Sequence, residues 1–306
     1  MISTLGKPPS THETICWPDF ALGIGTGRLC SLNGGISIRS AGRLISRAFE
    51  LGVRFVDTAP IYGQGQAESA IGSLAPHLRN ELVVCSKVGY TFGNKVALIN
   101  AAKPILRHVL PFAGVLRHKI ARARSNANAN NSFRIHIEPS TITTALDGTL
   151  RRIRRDYLDL LLLHDPSAES VENEANQLQL NRLVESRKIG AWGISSSDVT
   201  VIERAISASA CSIVQFPVNR EWLATYPDLM QRCERQGVSV IANGVLAPLS
   251  PPSESSLASH CATTVEDCFA FALGQPAVRV LLCGTRKVSH LERNVQIVRS
   301  LLVNTG

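Results

Sequence analysis

Eight short apolar runs recur along the chain, and each is separated from the next by a longer segment with a different periodicity. The runs are continuous rather than alternating and rich in Val, Ile and Leu, which predicts strands buried on both faces. They lie at residues 20–24, 53–56, 82–85, 158–163, 191–194, 212–216, 238–242 and 278–282.

The segments between these runs have helical spacing, with apolar residues at intervals of three and four. Ser140 is the predicted N-cap of one such helix, because its hydroxyl can accept a free first-turn N–H. Gly190 is the predicted C-cap of another. The apolar positions are Ala41, Leu44, Ile45, Ala48 and Leu51; Ile142, Leu146, Leu150 and Ile153; Leu180, Leu183 and Val184; and Leu291, Val295 and Val298.

Strands that alternate with helices predict a parallel sheet with right-handed crossovers. Eight such units favour a closed barrel, so we expect residues 1–306 to form one α/β domain, a single (β/α)8 TIM barrel. The alternative is an open doubly wound sheet, which would ordinarily carry Gly-x-Gly-x-x-Gly after its first strand. Here the glycines at 23, 25 and 27 have another spacing, which indicates a tight turn at the strand end.

The composition is that of a globular chain. Hydrophobic residues make up 44% of the 306 positions, whereas disorder requires a poorer and more charged composition. No apolar run approaches the ~20 residues that span a bilayer, and residues 1–20 lack the apolar core of a signal peptide. The eight cysteines form no Cys-x-x-Cys pair and no metal-like cluster. We therefore expect a cytoplasmic protein with reduced, mostly buried thiols, without a metal and without stable membrane insertion.

The net charge of +8 is concentrated in one segment. Residues 90–137 contain no Asp or Glu and carry eight basic side chains, which equal the whole excess. A neutral body with one basic insertion differs from a uniformly basic nucleic-acid binder, so we expect no nucleic-acid partner. The eight residues are Lys95, Lys103, Arg107, Arg117, Lys119, Arg122, Arg124 and Arg134.

The basic insertion, about residues 89–138, is too long for an ordinary loop after the third strand. Helical spacing from residue 98 to 120, interrupted by Pro104 and Pro111, predicts short helices. The polar stretch 125–132 predicts a flexible linker. Because the insertion follows the carboxyl end of a strand, we expect a partly helical lid over the mouth. The alternatives are a surface excursion without a catalytic role, or a basic surface that touches a membrane or an acidic partner.

Polar side chains stand where predicted strands end. Asp57 ends the second strand, Lys87 the third and His164 the fourth, and Tyr62 follows Asp57 by one short loop. Each alone has a structural explanation, as a turn cap, a solvated lysine or a locally bonded histidine. Together they would share one cavity, because the carboxyl ends of barrel strands converge. A lysine ammonium there should lower the pKa of the neighbouring tyrosine from ~10, so that the phenol donates a proton near neutral pH.

Several segments resemble motifs of the aldo-keto reductase superfamily, in that family's order. Phe-Val-Asp-Thr-Ala-Pro-Ile-Tyr-Gly at residues 55–63, with Glu68 and Gly72 beyond it, looks like the family signature. Val-Cys-Ser-Lys at 84–87 resembles its lysine strand. Leu-Asp-Leu-Leu-Leu-Leu-His-Asp-Pro at 158–166 resembles its histidine strand and ends like the sugar-lactol dehydrogenase members. The other matches are Trp-Gly-Ile-Ser-Ser at 192–196, Val-Gln-Phe-Pro-Val-Asn at 214–219 and the segment 283–294.

The resemblance implies hydride transfer between a nicotinamide and a small-molecule carbonyl or alcohol: an aldehyde, a ketone or a sugar lactol. Tyr62 would be the proton donor, and Lys87, held by Asp57, would lower its pKa. His164 would orient the carbonyl. The nicotinamide carboxamide would be gripped by Ser195 and Gln215, with Ser196 beside them where the family has asparagine.

The resemblance also implies the rest of the cofactor site. Asn243 stands where many members stack an aromatic ring on the nicotinamide. Gly284 replaces a lysine of many members, and His290 replaces an arginine that often pairs with the 2′-phosphate. Arg286 and Lys287 could supply that charge instead, which favours NADP(H) over NAD(H). The further cofactor positions are Gly25, Thr26, Gly244, Leu246, Thr285 and, at the adenine, Asn294.

Two other functions are compatible with the same residues. Some relatives bind the nucleotide as non-catalytic regulatory subunits, although retention of all four polar residues argues against that role here. Independently of the resemblance, a lysine at a barrel strand end could form a Schiff base with a carbonyl substrate. In that case Lys87 would be the reactive group, and Tyr62 would be less central.

Overall fold

Eight parallel strands close into a barrel in the computed structural model, which describes residues 17–30, 35–92, 132–207, 211–247 and 264–303. The closure confirms the predicted (β/α)8 fold and excludes the open sheet. In barrel order the strands are β1 Leu22–Gly25, β10 Val278–Cys283, β9 Ser239–Asn243, β8 Ile213–Pro217, β7 Ile189–Ser195, β6 Leu158–His164, β3 Val83–Val88 and β2 Phe55–Asp57.

A two-stranded antiparallel hairpin stands beside the barrel, where the basic segment enters and leaves. Strand β4, Tyr90–Phe92, follows β3 and pairs with β5, Ser132–Arg134. The predicted short helices and seven of the eight basic residues lie outside the described residues. So does the predicted linker except for its last residue, Ser132, which belongs to β5. The lid over the mouth therefore stays a prediction.

Helices follow the strands and pack around the barrel. They are α1 Ile38–Glu50, α2 Gln66–Gly72, α3 Pro76–Glu81, α4 Pro139–Ile153, α5 Ala168–Glu172, α6 Glu174–Glu185, α7 Val199–Ser207, α8 Arg220–Thr225, α9 Leu229–Arg235, α10 Val265–Leu273 and α11 Val288–Val303. Within the described ranges, no helix has both the length and the apolar character needed to cross a membrane. The six cysteines that fall in these ranges are all buried.

Helix α4 begins two residues earlier than its predicted cap would allow. Glu138 is the N-cap, and it forms a capping box with Thr141, whose hydroxyl oxygen accepts from the N–H of Glu138 at 3.0 Å. Ser140 lies inside the first turn and donates to Glu138 Oε1 at 2.6 Å. Pro139 fits the first helical position, where no N–H donor is needed. The assignment of Ser140 as N-cap was therefore wrong.

Gly190 does not end a helix. Helix α6 ends at Glu185, and Gly190 lies inside β7. A Cβ at Gly190 would lie 2.3 Å from the hydroxyl of Tyr157 and 2.6 Å from the carbonyl oxygen of Asp159. Glycine is needed there because two other segments approach the strand closely.

Each barrel strand buries one face inside the barrel and the other against the helices. Trp17 packs against the interior cluster, and its ring stacks on Phe55 with the centroids 6.2 Å apart. Because strand side chains alternate, the residue two positions after an interior residue also faces the interior. The interior apolar residues are Phe55, Cys85, Leu160, Leu162, Ala191, Ile213, Ile241, Val280 and Leu282.

A buried carboxylate ties three elements together outside the barrel wall. Glu68 of α2 is fully buried. It accepts three hydrogen bonds, from Ser86 Oγ of β3 at 2.9 Å, Thr149 Oγ1 of α4 at 2.8 Å and Arg152 Nε of α4 at 2.5 Å. Gly72 allows α2 to approach α4, because a Cβ there would lie 2.1 Å from the carbonyl oxygen of Arg152. The Glu68–Arg152 pair thus fixes the helix that follows the loop after β2.

Candidate active site

Five neighbouring strands deliver polar side chains to the carboxyl end of the barrel. In each strand a small or apolar residue that faces the interior is followed, two positions later, by a polar one. The polar residues are Asp57 after Phe55, Lys87 after Cys85, His164 after Leu162, Ser195 after Gly193 and Gln215 after Ile213. The mouth is where barrel enzymes hold their reactive groups.

A buried ion pair lies at the centre of this mouth. Lys87 Nζ donates to Asp57 Oδ1, and the two residues are only 1% and 4% exposed. Lys87 Nζ also donates to the carbonyl oxygen of Thr58 at 3.0 Å. Asp57 Oδ1 accepts a second hydrogen bond, from Gln215 Nε2 at 2.8 Å, and Gln215 Oε1 accepts from Ser195 Oγ at 2.7 Å. A continuous hydrogen-bonded chain therefore runs from Ser195 to Lys87.

Lys87 is a fixed cation in this setting. Burial, the largest influence, lowers the pKa of Lys87. The negative charge of Asp57 and, to a smaller extent, Tyr62 raise it, and the net pKa lies above its usual value. At neutral pH the mouth therefore holds an ammonium rather than a nucleophilic amine.

Tyr62 reaches the ion pair from the loop after β2. Its ring centroid lies 5.1 Å from Lys87 Nζ. Gly27, from the turn after β1, lies against the Tyr62 ring, since a Cβ there would be 3.5 Å from Tyr62 Cζ.

The pKa of Tyr62 departs from the expectation of a net decrease. Burial, the largest influence, raises that pKa, while Lys87 lowers it through its charge and a hydrogen bond. The net pKa lies above the usual value, so the expected direction was wrong. Desolvation of the phenolate outweighs the nearby ammonium.

His164 completes the group. Burial, followed by the repulsion of Lys87, lowers the pKa of His164 to about 3. The imidazole is therefore neutral at physiological pH. Its ring meets the ring of Tyr62 edge to face, with centroids 6.2 Å apart and an interplanar angle of 86°.

The residues expected at the nicotinamide lie beside this group. Ser195 and Gln215 belong to the hydrogen-bonded chain described above. Ser196 follows at the end of β7, where its hydroxyl oxygen accepts from the N–H of Asp198 at 3.1 Å and so stabilises the turn. Asn243 ends β9. The aromatic residue Trp222, in the helix after β8, packs on the outer core with its ring 5.4 Å from that of Phe216.

A second opening lies between the carboxyl ends of β1 and β10. It is a cavity of about 540 Å³. Six of its lining residues were predicted as cofactor positions: Gly25, Gly284, Thr285, Arg286, Lys287 and His290. Arg28 also lines it and was missed, although its place directly after the glycine turn that ends β1 was the available signal. Glycine backbone beside four basic or imidazole side chains fits a phosphate-bearing ligand.

Four other predicted cofactor residues lie outside the lining of that cavity. Thr26 is buried, and its hydroxyl donates to the carbonyl oxygen that ends β2 at 2.9 Å. Asn294 Nδ2 donates to Cys283 Sγ at 2.9 Å. Gly244 follows β9 with a φ of +58°, and Leu246 packs against the core. Their contact with a cofactor stays a prediction.

A closed barrel that gathers a phenol, an ammonium, a carboxylate and an imidazole at the carboxyl ends of its strands has the architecture of a (β/α)8 enzyme. The chain belongs to the aldo/keto reductase family, whose family model matches residues 21–251. This membership confirms the resemblance seen in the sequence motifs.

Individual relatives are distant in sequence but similar over most of the chain. L-galactose dehydrogenase of Arabidopsis thaliana is 22% identical over 313 aligned residues, which cover 92% of this chain and 85% of that protein. The holo form of an aldo-keto reductase from Bacillus halodurans superposes with a TM-score of 0.68 at 20% identity, covering 91% of this chain and 86% of the other. An aldo-keto reductase from Klebsiella pneumoniae in complex with NADPH gives a TM-score of 0.63 at 20% identity, with 91% and 85% covered. Each of these three similarities covers at least 91% of this chain.

Proposed function

We propose that this chain is an NADP(H)-dependent oxidoreductase that transfers hydride between a nicotinamide and a small carbonyl or alcohol. The observation that carries the proposal is the buried Asp57–Lys87 pair, with the phenol of Tyr62 and the neutral imidazole of His164 beside it. Family membership supports oxidoreductase chemistry in general.

In this proposal Tyr62 is the general acid and base. Its hydroxyl donates a proton to the carbonyl oxygen during reduction and takes it back during alcohol oxidation. Lys87 stabilises the phenolate that remains, which offsets part of the cost of a buried anion. The neutral imidazole of His164 supplies a hydrogen bond to the substrate oxygen without adding charge to the site. Asp57 keeps Lys87 protonated and in place.

The hydrogen-bonded chain supports a carboxamide site next to these groups. Ser195 and Gln215 would hold the nicotinamide carboxamide, with Ser196 at its side. Bound nicotinamide supplies or accepts the hydride. Contacts of Asn243, Gly244 and Leu246 with the cofactor, and of Asn294 with the adenine, belong to the same proposal.

The preference for NADP(H) rests on the cavity at β1 and β10. Arg28, Arg286, Lys287 and His290 line it, and guanidinium and ammonium groups suit a phosphate dianion. We expect a lower Kd for NADPH than for NADH, measured by nicotinamide fluorescence. Lys287→Ala should weaken NADPH binding more than NADH binding, whereas Arg182→Ala, an exposed arginine of α6, should change neither. A lower Kd for NADH in the wild-type protein would overturn the preference.

The substrate class is tested by turnover. A panel of aldehydes, ketones and cyclic sugars should be monitored by nicotinamide absorbance, in both directions and with both cofactors. Tyr62→Phe should lower kcat by about 10²–10⁴-fold, with the Kd of NADPH unchanged. Full activity in that variant would remove Tyr62 from the mechanism.

The same experiments separate the competing functions. A regulatory subunit would bind NADPH without turnover of any member of the panel. A Schiff-base enzyme would label Lys87 with borohydride in the absence of nicotinamide, and the raised pKa of Lys87 argues against it, because that chemistry needs a neutral amine. The cytoplasmic location expected from the sequence also stays a prediction, for cell fractionation to test.

A further inference from the structure

The hairpin of β4 and β5 lies against the end of β6, where His164 and Asp165 stand. The ring of Tyr90 meets the His164 ring nearly edge to face, with centroids 4.9 Å apart and an interplanar angle of 75°. Tyr90 Oη donates to Asp165 Oδ2 at 3.2 Å. Tyr90 therefore contacts the His164 imidazole with its ring and the Asp165 carboxylate with its hydroxyl.

The backbone fixes this arrangement from both strands of the hairpin. Gly89, directly before β4, has a φ of +148°, and a Cβ there would lie 2.3 Å from the carbonyl oxygen of His164. Only glycine allows so close an approach. From β5, the guanidinium of Arg134 donates to the carbonyl oxygen of Asp165. Both ends of the insertion thus contact the carboxyl end of β6: Gly89 and Tyr90 meet His164, and Tyr90 and Arg134 meet Asp165, the residue after the strand.

Asp165 occupies a tight turn directly after β6. Its φ is +46°, in the left-handed region that glycine, asparagine and aspartate adopt more readily than other residues. Its N–H donates to the carbonyl oxygen of Ser195 at 2.7 Å, which fixes the start of the turn. The contacts from Tyr90 and Arg134 hold the other side.

Among the residues that the structure describes, none forms a side-chain hydrogen bond with the His164 imidazole. Its ring packs against two tyrosine rings, with the centroid of Tyr62 at 6.2 Å and that of Tyr90 at 4.9 Å. Because Tyr62 is the proposed acid and base, Tyr90 is the partner whose ring has no assigned chemical role.

We propose that Tyr90 is a positioning residue, held by Asp165 and Arg134, that fixes the ring of His164 in the orientation needed to hydrogen-bond the substrate oxygen. The role given to His164 in this proposal rests on the proposed function. That Tyr90 orients the His164 ring does not depend on it. The ring of Tyr90 supplies most of the effect, and its hydroxyl aligns that ring. The stem of the insertion therefore belongs to the catalytic centre, whatever the rest of the insertion does.

The test uses three variants of the full chain: Tyr90→Leu, Tyr90→Phe and Thr91→Ala. Thr91 is an exposed residue of the same strand and serves as the matched control. Tyr90→Leu should lower kcat on the order of tenfold or more, as expected when a reacting group is misplaced, while KM and the Kd of NADPH stay within about twofold of wild type. Tyr90→Phe keeps the ring and should stay within about threefold of wild type. Thr91→Ala should match wild type.

A second readout does not depend on turnover. The imidazole ¹⁵N and ¹H signals of His164, assigned by their loss in His164→Gln, should shift or broaden in Tyr90→Leu and recover in Tyr90→Phe. Unchanged signals in a folded Tyr90→Leu protein would overturn the proposal, even if wild type turned over no carbonyl and the proposed function had failed. Equal kcat in wild type and Tyr90→Leu would overturn it as well. If the leucine variant does not fold, Tyr90→Met, an unbranched replacement, is held to the same outcomes.

Discussion

Two ion pairs hold buried carboxylates in this fold, and they differ in where they lie and in how far their cations are exposed. Asp57–Lys87 lies at the mouth and Glu68–Arg152 lies outside the barrel wall. Both acids accept additional hydrogen bonds, Asp57 from Gln215 and Glu68 from two hydroxyls.

The difference lies in what surrounds the cation. Lys87 is almost fully buried, and its charge lowers the pKa of both Tyr62 and His164. The side chain of Arg152 is 26% exposed and joins α4 to α2. A buried ion pair is by itself weak evidence of either stability or function. The titratable neighbours of the cation decide which role it has.

The largest expected effect separates the pairs by activity. Lys87→Met leaves Asp57 with its donor Gln215 but removes the cation beside Tyr62, so kcat should fall by about 10²–10⁴-fold. Arg152→Met is the matched control, and its folded fraction should turn over within about threefold of wild type. Both kcat values should be measured with NADPH saturating, at a temperature where circular dichroism shows both variants folded. Comparable losses of kcat in the two variants would erase the distinction.

The next effect separates the pairs by stability. Arg152→Met leaves a buried carboxylate without its counter-ion, so the free energy of unfolding should fall by about 3 kcal/mol. Urea denaturation monitored by circular dichroism measures this change. Adding Glu68→Gln to Arg152→Met should recover part of the loss, because a neutral amide needs no counter-ion. An unchanged unfolding midpoint in Arg152→Met would show that hydroxyls alone satisfy Glu68.

A smaller effect concerns pH, and it belongs to the mouth alone. Folding depresses the pKa of His164 from 6.5 to about 3, so between these values the unfolded chain binds a proton that the folded chain does not. The resulting contribution to stability is complete above about pH 6.5 and is lost as the pH falls toward 3. His164→Gln should therefore lose less stability than wild type between pH 6.5 and 4, measured from urea midpoints. Parallel pH profiles for the two proteins would contradict a neutral, buried His164.

The sequence predicted the barrel and the residues at its mouth for a single physical reason. Strands buried on both faces leave continuous apolar runs, and the polar residues that end Val56-Asp57 and Leu163-His164 interrupt that pattern at the carboxyl ends. Position along a strand was therefore enough to bring Asp57, Lys87 and His164 together.

Features that depend on contacts between distant segments could not be predicted in this way. The sign of the Tyr62 pKa shift depends on how deeply the loop is buried, which no local pattern records. Arg28 comes into the cavity because β1 pairs with β10, across the whole length of the chain. Tyr90 lies at the start of the basic insertion, two residues after Val88, and the pairing of β3 with β6 at Val88 and Leu163 brings it to His164.

The smallest expected effect concerns the start of α4, the helix that carries Arg152, where the predicted N-cap was wrong. If Glu138 and Thr141 form the capping box, Thr141→Ala removes the hydroxyl that accepts from the N–H of Glu138 and should lower the free energy of unfolding by about 1 kcal/mol. Ser140→Ala removes only an exposed contact with the Glu138 carboxylate and should cost less, about 0.5 kcal/mol or below. Thermal denaturation of the two variants under the same conditions gives the order. The reverse order would restore Ser140 as the N-cap, and the helix that carries Arg152 would then begin two residues later.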